Sequence, residues 1–303
     1  MNNSPFNLSA LSAYQGWRSE KLSAYPLRLD GLFTTIQNPE APDDAEIMSL
    51  QDTCRRYNLA LYRLAKGDIR SKRHVHRLGQ KSGLFRLDNN LCVDEDGLTS
   101  LHVTTHAGQH DYIPYTTKQL SWHTDGYYNV PEEQIHGLLL HCAQHAIEGG
   151  ESWLMDHEIA YILLRDTNPQ YIEALMHPEA FTIPANILNG ETIRAAQSGP
   201  VFSVTAAGNL HMRYSARQRN VQWRDDPLTR EAADFLLNLW QQDSPYKIRY
   251  TLQAGEGLLC NNVLHCRTSF KDSDDPAQKR LLYRGRYYDR VANTNMTFQE
   301  TTC

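Results

Sequence analysis

The 303-residue chain contains no run of roughly 18 apolar residues, the length that a membrane-spanning helix needs, so no membrane partner is expected. It contains no CxxC pair. Its six cysteines, Cys54, Cys92, Cys142, Cys260, Cys266 and Cys303, are scattered, which argues against a disulfide scaffold and for reduced thiols in a cytoplasmic protein. A basic excess is also missing: 30 Lys and Arg stand against 35 Asp and Glu, a net charge of −5 that speaks against a nucleic-acid partner bound through a basic face. The opening MNNSPFNLSALSAYQGWRSE has no basic start followed by an apolar stretch, so no secretory signal is expected. There is no internal repeat and no low-complexity tract. What remains is a protein that acts on or binds a small molecule, with homo-oligomerisation left open.

The elements that are present suggest a mainly β protein with helical decoration. Apolar residues at Ile47, Leu50, Cys54, Tyr57, Leu61 and Leu64 recur at three- and four-residue steps and predict an amphipathic helix over 45–65. The basic SKRHVHR, Ser71 to Arg77, reads as a solvated loop. Beyond Pro131, IHGLLLHCAQH, SWLMD, FTIPA, GPVFSVT, NLHMRYS, YKIRYTL, GEGLLCNN and RLLYRGRYYD are strand candidates separated by Gly, Asn, Asp or Pro. DHEIAYILLRD, NPQYIEALMH and DPLTREAADFLLNLWQQD are helical, the last with Phe235, Leu236, Leu239 and Trp240 on one side. Many short strands with few helices predict a jelly-roll, or double-stranded β-helix, barrel core rather than a βαβ alternation. The chain reads as one domain, 1–303, with residues 1–110 an N-terminal extension and 111–290 the core.

SWHTDGYYN, Ser121 to Asn129, places a histidine two residues before an aspartate. On a strand His123 and Asp125 point the same way, and together they are two thirds of a 2-His-1-carboxylate triad for non-haem Fe(II). His265, after the strand-like GEGLLCNN, suits the third ligand. In KRLLYRGRYYD, Arg280, Leu282, Arg284 and Arg286 share a strand face, and three arginines facing inward are costly unless they meet anions. A dicarboxylate co-substrate satisfies one of them. GGES brings the Ser152 hydroxyl to a strand start.

His102, His106 and His110 in LHVTTHAGQH are spaced as if for zinc, but Val103, Thr104, Thr105 and Gly108 are poor helix formers. On a strand successive pairs lie about 13 Å apart, too far for one ion. Of these, His110 is the one assigned to the substrate pocket. Trp122, Tyr127 and Tyr128 bracket the HxD pair, and with Asn129 they are assigned to the substrate; an aromatic cage suits a quaternary ammonium, while the arginines suit an anion.

WHTD, the glycine turn before a hydroxyl residue, the distal His followed by Arg, and the late Arg-rich strand resemble the Fe(II)/2-oxoglutarate oxygenases of the taurine dioxygenase and γ-butyrobetaine hydroxylase superfamily. The similarity covers about Tyr112 to Asp289, and LLLHC is similar to the γ-butyrobetaine branch. The resemblance implies His123, Asp125 and His265 as iron ligands, and Fe(II), 2-oxoglutarate and O₂ as cofactor and co-substrates. It implies Arg280 on the distal carboxylate of 2-oxoglutarate with help from Ser152, and Arg284 where relatives place an arginine for an anionic substrate group. Aligned on Gly285 instead, the register moves and Arg284 takes the co-substrate. Arg267, in HCR where the family has HGR, is assigned to the substrate. The implied activity is oxidation, chiefly hydroxylation, of a C–H bond in a small charged or zwitterionic metabolite. A jelly-roll binding protein without catalysis and a zinc hydrolase on the same triad are the alternatives.

Overall fold

Ten strands, numbered in chain order, build the two principal sheets: β1 Phe33–Ile36, β2 Leu59–Leu64, β3 Thr99–Leu101, β4 Leu120–His123, β5 Gly137–Gln144, β6 Ser152–Met155, β7 Ile248–Tyr250, β8 Glu256–Cys260, β9 Leu264–Arg267 and β10 Leu281–Tyr287. The computed structural model describes residues 3–25, 28–89, 92–105, 112–188 and 190–296. The larger sheet runs β1-β2-β8-β5-β10-β3, and only its β1–β2 pairing is parallel. The smaller sheet runs β7-β6-β9-β4 and is antiparallel throughout. Three of the six strands of the larger sheet therefore come from the first 110 residues.

The inner faces of the two sheets share one apolar cluster, in which Leu138, Cys142, Leu258 and Leu282 from the larger sheet meet Leu154 and Ile248 from the smaller. The outer face of the larger sheet is covered by the helices α2 (Asp44–Tyr57) and α3 (Lys72–Lys81), whose Leu50, Cys54, Val75 and Leu78 pack on Tyr62, Leu139, Leu259 and Tyr287. The outer face of the smaller sheet carries Trp122, Met155, Leu264 and Cys266 into a third cluster with α4 (His157–Thr167), α5 (Pro169–Leu175) and α6 (Pro227–Gln241). This is the jelly-roll sandwich expected from the strand pattern, with helices on both outer faces.

Two local expectations are corrected. The helix expected over 45–65 ends at Tyr57, because Asn58 adopts a left-handed conformation (φ 58°) and terminates it. The following Leu59–Leu64 is an interior strand between β1 and β8, buried on both faces over its first four residues, so its apolar residues continued the helical spacing by coincidence. The α2 start is a capping box in which Asp43 and Glu46 each accept the other's backbone N–H. SKRHVHR is not a loop: it opens α3, which buries His74, Val75, Leu78 and Gly79 and leaves its basic residues outward.

The N-terminal helix α1 (Leu11–Ser23) is tied to α4 by charge. The buried Lys21 ammonium lies 2.6 Å from both Asp156 and Glu158 and donates to the Arg56 carbonyl at 2.9 Å. Cys54, Cys142, Cys260 and Cys266 are free, buried thiols. Among the described residues no helix is long and apolar enough to cross a membrane.

Because Lys21 neutralises two buried carboxylates, Lys21→Ala is expected to lower the unfolding free energy by about 3–5 kcal/mol in urea denaturation at pH 7. A loss below about 1 kcal/mol, the size typical of an exposed pair, would show that this network contributes little.

Candidate metal centre

β9 runs antiparallel to β4 with His265 directly opposite His123, and the two imidazole centroids lie 4.3 Å apart. Asp125 follows in the turn after β4, its Oδ1 3.8 Å from His123 Nε2. One donor atom from each of the three residues lies within 4.8 Å of the others. The expected triad is thus brought together by strand pairing.

Both imidazoles are held in the tautomer that a metal needs. His123 Nδ1 donates to the Ser121 carbonyl at 2.8 Å, and His265 Nδ1 donates to the Val263 carbonyl at 2.9 Å. A carbonyl only accepts, so each Nδ1 carries the proton and each Nε2 presents a lone pair. Burial, reinforced by the neighbouring His265, pushes His123 down to about 3, so its ring is neutral at pH 7. Burial would raise the Asp125 carboxyl, but Arg284, with His265 and Arg286, holds it well below the usual carboxylate range. Its Oδ2 is buried without a hydrogen-bond partner. Two imidazoles whose Nδ1 protons are held by carbonyls, beside an ionised carboxylate with an orphaned oxygen, form a donor set that fits a divalent metal.

Asn262 fixes the carboxylate's backbone. Its Oδ1 accepts the Asp125 N–H at 2.8 Å, and its Nδ2 donates to the carbonyls of Asp125 (2.9 Å) and Ile135 (2.7 Å). It does so from a left-handed conformation, φ 49°, which asparagine tolerates better than most side chains. Thr124 secures the other side: it donates to the Tyr214 carbonyl at 3.0 Å, and its hydroxyl accepts the Tyr214 N–H at 3.1 Å. Sequence reasoning did not assign either residue; CNN just before a candidate ligand was the only signal.

The four inward arginines differ in their neutralisation. Arg284 lies 3.4 Å from Asp125 Oδ1. Arg286 pairs with the buried Asp88 and donates to the Tyr128 hydroxyl at 2.7 Å. Arg280 and Arg267 have no carboxylate ion pair among the described residues, and both guanidiniums lie 4.8 Å over the Phe270 ring. Burial pushes Arg280 down to about 10 and, together with Arg280's charge, Arg267 down to about 9. Arg267 donates to the Thr116 and Lys118 carbonyls at 3.0 and 2.5 Å, while its Nε is buried and unpartnered. Ser152 is the cross-strand partner of Arg267. The preceding glycine turn is required by close approach: a Cβ on Gly149, already at φ 73°, would lie 2.4 Å from the Ser269 carbonyl oxygen. Arg267 on the smaller sheet and Arg280 immediately before β10 of the larger sheet thus share the Phe270 ring, with Ser152 opposite Arg267 in the strand pairing.

Of the residues assigned to a substrate, Tyr127 stands with its ring 6.3 Å from that of His123. Tyr128 packs edge-on against Tyr127 at 5.1 Å. Asn129 spends its amide closing the turn, on the Glu133 carbonyl (2.9 Å) and Asp88 (3.3 Å). Trp122 points away from the metal ligands: one residue before His123, it takes the opposite strand face and stacks on Trp240 at 5.1 Å. Arg267 belongs with Arg280 rather than with the tyrosines. His110 lies outside the described residues.

The chain is similar to several known proteins. The family described as taurine catabolism dioxygenase TauD, TfdA family matches residues 49–286. A uridine-5′-phosphate dioxygenase from an Amycolatopsis species is 30% identical over 189 residues, 59% of this chain and 65% of that protein. One from a Streptomyces species is 28% identical over 205 residues, covering 64% and 70%. This chain thus spans about two thirds of the length of these curated relatives. Among solved structures, an asparagine oxygenase with Fe(II), 3-hydroxyasparagine and succinate superposes with TM-score 0.57 at 14% identity, over 88% of this chain and 89% of that one. The non-haem iron oxygenase OrfP with iron and α-ketoglutaric acid gives 0.56 at 17% identity, over 80% and 81%.

Asn262→Ala removes three hydrogen bonds from the ligand turn and is expected to weaken equilibrium Co(II) binding by about 10–100-fold, the usual effect of losing an outer-shell partner. Unchanged affinity in the variant would mean that the turn holds Asp125 without it.

Proposed function

The chain belongs to the TauD/TfdA dioxygenase family, and from that premise we propose that it is an Fe(II)- and 2-oxoglutarate-dependent dioxygenase that oxidises a C–H bond of a small anionic metabolite. The observation that carries the proposal is the meeting of His123, Asp125 and His265 with both Nε2 lone pairs bare. In this reading the three residues hold the ferrous ion. Bound there, the ion supplies the redox chemistry by which O₂ converts 2-oxoglutarate to succinate and CO₂ and delivers one oxygen atom to the substrate carbon.

The chain's own residues supply charge and orientation. The Ser121 and Val263 carbonyls hold the Nδ1 protons and so keep both imidazoles aimed. Arg284 stabilises the ionised Asp125. Arg280 is the partner for the distal carboxylate of 2-oxoglutarate, because its buried guanidinium forms no carboxylate ion pair among the described residues, whereas Arg284 is already engaged. Arg267 and Ser152 border the same pocket, and the Phe270 ring forms its wall. A zinc hydrolase on the same triad, or a binding protein without catalysis, would leave Arg280 and Arg267 buried without an anion.

The whole chain is read as one oxygenase domain, with residues 111–290 carrying the catalytic core and residues 1–110 completing the larger sheet. For the prime substrate we take a phosphomonoester of the kind named for the curated relatives, uridine 5′-phosphate.

The test is succinate release from 2-oxoglutarate with Fe(II), O₂ and uridine 5′-phosphate. His123→Ala, Asp125→Ala and His265→Ala should each abolish it while the protein stays folded, and wild-type turnover in any of the three would sink the triad. Arg280→Ala should raise the apparent KM for 2-oxoglutarate by about thirtyfold or more, near 2 kcal/mol, with little effect on the KM of the prime substrate. The same pattern in Arg284→Ala alone would exchange the roles of the two arginines.

A further inference from the structure

Tyr128 has a hydroxyl whose oxygen is held and whose proton is not. The turn after β4 brings it to the site: the Asn129 N–H donates to the Gly126 carbonyl at 2.8 Å. The Tyr127 ring, within that turn, lies 6.3 Å from the ring of His123 and 5.1 Å from that of Tyr128. The Tyr128 oxygen accepts from Arg286 Nη1 at 2.7 Å. Its own O–H has no acceptor among the described residues, and the residue is only half-buried.

Arg286 stands on the metal side of the larger sheet. Along β10, Tyr283 and Tyr287 join the cluster under α2 and α3, while Leu282 joins the cluster between the sheets. Alternation therefore puts Arg284 and Arg286 on the inner face with Leu282. Arg284, two residues before Arg286, reaches Asp125 Oδ1 at 3.4 Å. The Tyr128 hydroxyl is thus fixed against the neighbour of the arginine that touches a metal ligand. Asp88 in turn holds Arg286. Leu87 forms an isolated antiparallel bridge with Tyr287, and the Asp88 N–H donates to the Arg286 carbonyl at 2.8 Å. Asp88 Oδ2 accepts from Arg286 Nε at 2.9 Å and also from Nη2. Its Oδ1 accepts from the Tyr288 hydroxyl at 3.1 Å and the Asn129 amide at 3.3 Å. With Nε and Nη2 on one buried carboxylate, the planar guanidinium turns Nη1 to the phenol.

We propose that the Asp88–Arg286 ion pair positions the Tyr128 hydroxyl as a hydrogen-bond donor to an acceptor oxygen of the prime substrate. The phenol oxygen is occupied by a cation, so what it offers a ligand is its proton, and the charge-assisted bond behind it strengthens the O–H as a donor. The ring offers no open face to an aromatic cage, because the guanidiniums of Arg194 and Arg286 both lie 5.7 Å from its centroid. An ammonium group only donates and finds no partner in this hydroxyl, whereas a hydroxyl, carbonyl or phosphate oxygen does. Tyr128 is then the binding residue, and Asp88 and Arg286 are positioning residues. This inference rests on the reading of the site as an oxygenase whose prime substrate is uridine 5′-phosphate.

The experiment is isothermal titration calorimetry on the full chain with Fe(II) and 2-oxoglutarate under anaerobic conditions, where no turnover occurs, with uridine 5′-phosphate as titrant. Tyr128→Phe keeps the ring and removes the hydroxyl, and it should weaken binding by about tenfold while leaving the affinity for 2-oxoglutarate unchanged. Arg286→Lys keeps a cation for Asp88 but loses the fork that reaches the phenol. It should weaken binding by a similar factor in the wild type and add little in the Tyr128→Phe background, a non-additivity that a merely structural role does not produce. Tyr128→Phe carries the test alone if Arg286→Lys proves unstable. Wild-type affinity in Tyr128→Phe would overturn the donor and leave the substrate reading standing. Fully additive losses in the double variant would overturn the positioning by Arg286. A wild type without affinity for uridine 5′-phosphate would overturn both the inference and the substrate reading.

Discussion

The antiparallel pairing of β4 with β9 is the constraint on which the site depends. Its register sets His123 against His265, and the period of two along each strand sends the intervening residues to the opposite face. Those residues, Trp122, Leu264 and Cys266, are buried under α4–α6, where Trp122 stacks on Trp240. A slip of one residue would carry the tryptophan into the site and the imidazoles into the helix-side core. Burial of a single such aromatic is worth a few kcal/mol. The apolar outer face therefore holds the polar inner face in place, and two carbonyls, Asn262, Thr124 and Arg284 do the remaining local fastening of the ligands.

Charge is distributed around this frame with an evident division. Arg284 and Arg286 meet the carboxylates of Asp125 and Asp88, so each is a closed pair inside the protein. Arg280 and Arg267, over Phe270, are open, with no carboxylate ion pair among the described residues. A closed pair orients a ligand or a tyrosine. An open pair costs desolvation until an anion arrives, which is the expected form of a binding subsite.

Much of this was legible in the sequence. The HxD spacing, the distal His265 and the Arg-rich strand all stood out in the sequence, but strand alternation accounts only for residues on strands such as His123 and His265, since Asp125 lies in the turn after β4. The period also contained the warning about Trp122, since a residue adjacent to a ligand on a strand must face the other way. What could not be read were contacts between distant segments. Asp88 neutralises Arg286 across 198 positions, and Asn262 reaches Asp125 across 137. The overlong helix at 45–65 failed because a buried strand and an amphipathic helix share apolar spacing over a few residues, and a single left-handed asparagine divides them.

The most direct test of the account is an anaerobic titration of the metal-free protein with Fe(II) and then 2-oxoglutarate, followed in the visible spectrum. The account predicts that the weak charge-transfer band of Fe(II)-bound 2-oxoglutarate appears in the wild type and is absent in Asp125→Ala. In Arg280→Ala the band should still appear, but only at a much higher 2-oxoglutarate concentration. A wild type that binds iron yet gives no band at saturating 2-oxoglutarate, or an Asp125→Ala variant with the full band, would contradict it.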